Sequence, residues 1–254
     1  MKSKFDRDIL SNLESYSSEV SVSGEDLIRL HANELPWKNE AVILALKDSL
    51  PSMHINRYPE VTNSEIRQKI ANYIGFETKN VLIGNGSDEI IDTIGKAFIS
   101  PLDKVIIPYP TFSLYSTITK IYSGLPIMLP LNKDYAPPIK KIISEAKNAK
   151  IAIICSPNNP TGIAYTDEEL KSILDTGILV ILDEAYAEFN GHSGLELLND
   201  YNNLIVMKTF SKAFGLAGFR TGYCVSSEIL IDSMSKVMLP YNLNLASMKI
   251  AEYA

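Results

Sequence analysis

ILVILDEAYAEF (178–189) opens with five apolar residues in a row and closes that run on a single acid, Asp183. A strand with one wet face alternates apolar and polar residues. A run that is apolar throughout fits a strand covered on both faces, as in a parallel sheet lying between helices. The same grammar recurs on either side, in VLIG (81–84), KVII (104–107), PIML (126–129), IAIICS (151–156), NLIVMK (203–208) and GYCVS (222–226). Between these runs lie helical patterns. After Ser87, the residues Ile90, Ile91, Ile94, Ala97 and Phe98 recur at helical spacing. Thr166 followed three residues later by Glu169 predicts a capping-box start for TDEELKSIL. This alternation predicts an α/β domain with a mostly parallel sheet flanked by helices. In such sheets ligands gather at the carboxyl ends of the strands, which is where the polar motifs of this chain fall.

The chain has 254 residues, 46% hydrophobic and 21% charged, with a net charge of −6 and its Lys and Arg residues scattered. One large core is within its means. Without a basic face it is a poor partner for nucleic acid or an anionic membrane. No apolar stretch approaches the roughly 20 residues needed to span a bilayer. Cys155 and Cys224 sit inside apolar runs and read as buried free thiols. The opening MKSKFDRDILSNLESY has no apolar segment followed by a cleavage site, so a cytoplasmic protein is expected. His31, His54 and His192 show no metal-ligand spacing and read as structural or surface residues.

The two ends differ from the middle. Residues 1–50 combine a polar arm, LIRLHANELPW and a helical stretch, NEAVILALKDSL, and are expected to form a separate N-terminal portion. Residues 51–240 make the large domain. YNLNLASMKIAEYA (241–254) runs helically into the C-terminus without a capping glycine, so further sequence is expected beyond it.

Four polar or Gly-rich stretches follow predicted strands: GNGSDE (84–89), SPNNPTG (156–162), DEAYAEF (183–189) and TFSKAFGLAGFR (209–220). Lys212 lies in a small-residue loop just after an apolar strand. An amine held out of water near other cations loses its proton more easily and becomes a nucleophile; the bland alternative is a solvated surface lysine. Asp183 could equally be a strand-terminal acid capping the next turn. Ser87 and Asp88 open a helix after GNG, so their backbone amides point at an anion site. A dinucleotide loop is set aside because position 89 is Glu where the third glycine would stand. Arg220 offers a planar fork to the same anion, with the Ser211 and Thr209 hydroxyls as further donors.

As an ordered set, RYPE (57–60), GNGSDE, SPNNPTG, DEAYAEF and TFSKAFGLAGFR resemble the histidinol-phosphate aminotransferases, within the fold-type I pyridoxal-phosphate aminotransferases. The resemblance runs from about residue 10 to the end. It implies that Lys212 holds pyridoxal 5'-phosphate as a Schiff base and that Asp183 faces the ring nitrogen. It implies that Asn159 and Tyr186 bond the ring oxygen and that Phe112, where relatives often carry Tyr, stacks on the ring. Ser87, Asp88, Thr209, Ser211 and Arg220 would hold the phosphate. Tyr58 would reach across a homodimer interface to the partner's phosphate. LHANE (30–34) resembles the family's L-N-A-N-E with His31 at the first Asn, and makes Asn33, with Tyr16, a candidate for substrate contact. The implied reaction passes an amino group between L-histidinol phosphate and 2-oxoglutarate, in histidine biosynthesis. Other readings are an aromatic aminotransferase, a threonine-phosphate decarboxylase, or a cofactor-binding remnant without catalysis. Relatives continue into a smaller second domain after a helix expected to begin near Tyr241, so the resemblance implies a fragment or a truncated form that turns over poorly.

Overall fold

The computed structural model describes residues 3–13 and 30–254. Tyr16 lies outside the described residues. All seven predicted strands form: β1 Val81–Gly84, β2 Lys104–Tyr109, β3 Leu125–Pro130, β4 Ile151–Cys155, β5 Leu179–Asp183, β6 Leu204–Thr209 and β7 Gly222–Ser226. They make one sheet in the order β1-β7-β6-β5-β4-β2-β3. Every neighbouring pair is parallel except the two that involve β7, which runs antiparallel to both β6 and β1. The sheet is therefore mostly parallel, and its one reversed strand starts at the edge where the others end.

Nine α-helices cover the sheet in the described residues: α1 Glu40–Ser49, α2 Ser64–Ile74, α3 Ser87–Phe98, α4 Leu114–Ile121, α5 Ile139–Ala146, α6 Asp167–Leu174, α7 Ala187–Asn190, α8 Glu228–Ser235 and α9 Leu245–Tyr253. One face of the sheet packs Leu82, Ile107, Ile153, Cys155, Ile181 and Met207 against α3, α4 and α8. The other packs Ile106, Ile154, Val180 and Val206 against α5 and α6. At the β1 end of that second face, Ile83 and Tyr223 meet Val42 of α1, Ile66 and Ile70 of α2, and Ile250 of α9. This two-sided cover explains why the strands read as unbroken apolar runs. Each fully buried Ile contributes about 1.5–3 kcal/mol.

Local signals set the helix ends. Thr166 accepts from the Glu169 amide at 3.2 Å while the Glu169 carboxylate accepts from the Thr166 amide at 2.9 Å, the reciprocal capping box expected. The terminal helix begins later than its sequence pattern suggested. Tyr241 adopts a left-handed φ of 57°, and Asn244 caps the first turn by accepting from the Ser247 amide at 2.8 Å, so α9 starts at Leu245.

Candidate active site

The carboxyl ends of β4, β5 and β6 open onto a cavity of about 220 Å³ that also takes in the start of α3. It is lined by Lys212, Asp183, Tyr186, Asn159, Phe112 and Arg220, together with Ser87, Asp88, Thr209, Ser211 and Asn33. Eleven of the thirteen residues singled out from sequence thus meet in one place. Of the other two, Tyr16 is outside the described residues, and Tyr58 is not part of the lining. Tyr58 is 81% exposed and stacks on Tyr241 with ring centroids 4.6 Å apart.

Asp183 ends β5 because the apolar run delivers it, buried, to the floor of the cavity. Its Oδ2 accepts from the Tyr115 hydroxyl at 2.8 Å and its Oδ1 from the Ala185 amide at 3.0 Å. It therefore caps the following turn, as its structural reading expected. Burial pushes the carboxyl up to about 6, against the pull of these two donors. Tyr115 was not singled out from sequence. It lies three residues after Phe112, one helical turn on, with the two rings edge-to-face at 5.6 Å. Burial first, then the Asp183 charge, holds its hydroxyl protonated well above the usual phenol range. Cys155, the register partner of Asp183, also lines the floor, and burial pushes its thiol up to about 12. It is an inert wall at neutral pH.

Lys212 follows β6 by three residues and its ammonium donates to the Ala32 carbonyl at 2.5 Å. Burial draws its pKa below the ordinary lysine value, with Arg220 acting in the same direction and Glu34, Asp88 and Asp183 opposing. Its Nζ sits 5.7 Å from the centre of the Tyr186 ring, and the Tyr186 hydroxyl accepts from Asn33 Nδ2 at 3.0 Å. LHANE therefore closes one side of the cavity. His31, an exposed turn residue, borders the cavity as well; His54 is exposed, and His192 pairs on the surface with Asp167 at 3.0 Å.

The anion end is built from glycines. Gly86 precedes α3 at φ 81°, and no side chain caps the first turn of that helix, so its amides face the cavity unpaired by a cap. A Cβ on Gly86 would lie 2.6 Å from Arg220 Nη2, and one on Gly222 would collide with the Ser87 backbone. Only glycine lets these three segments converge. Arg220 itself holds a left-handed φ of 51° and pairs with the Asp88 carboxylate at 2.8 Å. Asp88 thus contributes a side chain as well as the expected backbone amide. A phosphate-bearing heterocycle fits this set: donors and a guanidinium at one end, an acid on the floor, an aromatic wall and an amine.

The sequence pattern of the aminotransferase class I and II family matches residues 25–254. Histidinol-phosphate aminotransferase from Pyrococcus furiosus is 38% identical over 242 residues, covering 94% of this chain and 70% of that protein. Its counterpart from Caldanaerobacter subterraneus subsp. tengcongensis is 39% identical over 227 residues, covering 88% of this chain and 65% of that protein. Among solved structures, histidinol-phosphate aminotransferase from Sinorhizobium meliloti in complex with pyridoxal-5'-phosphate superposes with a TM-score of 0.80 at 23% identity, covering 87% of this chain and 62% of that one. The chain thus spans about two thirds of the length of the relatives it matches. With the sheet, the site and these matches in agreement, the chain belongs to the class I and II aminotransferases.

Proposed function

We propose that this chain carries the cofactor site of a pyridoxal-phosphate aminotransferase that exchanges an amino group between L-histidinol phosphate and 2-oxoglutarate, yielding imidazole acetol phosphate and L-glutamate. The observation that carries the reading is the convergence of Lys212, Asp183 and Arg220 with the uncapped start of α3 on one cavity. Bound pyridoxal phosphate supplies an electron sink for the substrate's Cα–H bond. The Ser87 and Asp88 amides, the Ser211 and Thr209 hydroxyls and the Arg220 guanidinium would hold its phosphate. Asn159 and Tyr186 would meet the ring oxygen, and Phe112 the ring face.

The protein's own part is proton control. Burial keeps the Lys212 amine easier to deprotonate than a surface lysine, so it serves as nucleophile and then moves a proton at the substrate's Cα. Asp183 presents a carboxylate at the floor, and Tyr115 holds its Oδ2 in place. Asn33, bonded to Tyr186, stands where substrate would lie. Tyr58, exposed on the surface, is assigned to a partner subunit's phosphate in a homodimer. Residues 1–50 are read as an N-terminal arm and a segment of the small domain, 51–240 as the large cofactor-binding domain, and 241–254 as the start of the helix between the two domains.

Borohydride reduction in the presence of pyridoxal phosphate, followed by peptide mapping, should label Lys212, and Lys212→Ala should remove the label. A label elsewhere, or none, sinks the assignment. A coupled assay of the protein with L-histidinol phosphate and 2-oxoglutarate, run beside aromatic amino acids and threonine phosphate, tests the substrate pair.

A further inference from the structure

Behind the cavity, on the opposite face of the sheet, lies a cluster of charges that no step above uses. Register places Asp183 beside Met207, on the face covered by α3, α4 and α8. The next residues, Glu184 and Lys208, therefore point the other way. Lys208 is 5% exposed and its Nζ lies 3.2 Å from Glu184 Oε2 and 2.8 Å from Glu188 Oε1. Glu184 is 2% exposed, and its carboxylate also accepts from the Ser193 hydroxyl and the Gly194 amide, each at 2.5 Å. Glu188 has no such second support among the described residues. Its other oxygen, Oε2, is buried without a hydrogen-bond partner among the described residues.

The chain weaves through the sheet edge at this point. Asp183 faces the cavity, Glu184 the reverse side, Ala185 and Tyr186 the cavity again, and Glu188 the reverse side. One ammonium grips both ends of the turn that carries Tyr186. That ammonium sits on β6, four residues before Lys212. We infer that Lys208 is a positioning residue, which acts through Glu184 and Glu188 to fix Asp183 and Tyr186 relative to Lys212. An ion pair this deeply buried costs desolvation, and hydrophobic residues of similar volume often serve stability as well. Its position behind the cavity, bridging the turn that carries Tyr186, fits placement better than net stability.

The test uses two readouts, because the second rests on the cofactor reading and the first does not. Hydrogen exchange in the protein without added cofactor should quicken about tenfold over residues 183–191 in Glu188→Gln, which leaves the Lys208–Glu184 pair in place. Exchange in the remote helix α5 should change far less, and Lys208→Arg, which keeps the cation, should leave exchange slow in both. In protein loaded with pyridoxal phosphate, the pH midpoint of the bound cofactor's visible absorbance reports on the groups around Lys212: Tyr186, Asp183, Asp88, Arg220 and Glu34. Glu188→Gln should raise that midpoint by about 0.7 pH unit as Tyr186 shifts.

Exchange that quickens equally in α5 and in residues 183–191 would reduce the cluster to general stability and overturn the inference. So would a midpoint that stays put in a loaded, folded Glu188→Gln protein. Should the wild-type chain take up no cofactor, the reading of the site fails while the exchange result still decides this inference.

Discussion

Asp183 and Glu184 are adjacent in the chain, both acids and both almost fully buried, at 3% and 2% exposure. They are housed in opposite ways. Glu184 faces a lysine and two further donors, the provision a buried charge needs. Among the described residues Asp183 accepts only from a phenol and one backbone amide, with no cation in its bonding shell. Burial raises both carboxyls; at Glu184 the lysine pulls the other way, whereas at Asp183 the neighbouring Asp88 and Glu184 charges push the same way as burial and the carboxyl reaches about 6. The difference separates two kinds of buried acid. One is matched by its own fold, and the other is left incompletely matched on the side that faces the cavity.

Removing the match should hurt most. Lys208→Met strands the buried Glu184 carboxylate and the partly buried Glu188, and a broken buried pair costs about 3–5 kcal/mol. Urea unfolding at pH 7 measures it. A loss below about 1 kcal/mol would mean that Glu184 and Glu188 find other partners and that the two acids are not differently housed.

Asp183→Asn sharpens the contrast with the opposite sign. A carboxyl whose folded pKa is raised from 3.8 to about 6 is most favourable to folding below the lower value. That contribution is lost as pH climbs through about 6. At pH 8 the wild-type protein without cofactor bears the whole cost, so the amide should stabilise it by up to about 3 kcal/mol. The gain should shrink toward pH 4. The same variant should lose its grip on pyridoxal phosphate. A substitution that stabilises the fold and weakens the site marks a residue kept for function.

How much of this was legible beforehand follows from what each residue shows in one dimension. Strands covered on both faces announce themselves as unbroken apolar runs, so ILVIL and IAIIC could be read directly. The ends of those runs point to the site, and Lys212, Asp183 and Arg220 followed. The reversal of β7 was not legible, since GYCVS is apolar in either direction. Its orientation is fixed by Gly222 meeting both Gly84 and Thr209 across the sheet. Glu184 and Glu188 look like ordinary solvated acids in DEAYAEF. Only the crossing of the chain from one face of the sheet to the other buries them against Lys208. Tyr115 hid for a similar reason: an aromatic in YPTFSLY reads as core, and it is core, with one hydroxyl that happens to face Asp183.

Tyr115→Phe should give the smallest of these effects and the most direct test of how Asp183 is held. The phenol donates to Oδ2 and so favours the ionised acid. Without it, the Asp183 pKa should climb above about 6 by about 0.5–1 unit, visible by NMR titration of the carboxyl carbon. The stability cost follows the charge. Near pH 5, where Asp183 is mostly protonated already, the variant should match the wild type closely. Near pH 8 it should lose about 1 kcal/mol, because the ionised carboxylate then keeps only the Ala185 amide. Equal losses at both pH values would show that the hydroxyl serves packing alone, and that the floor of the cavity is held by something other than the Tyr115–Asp183 bond.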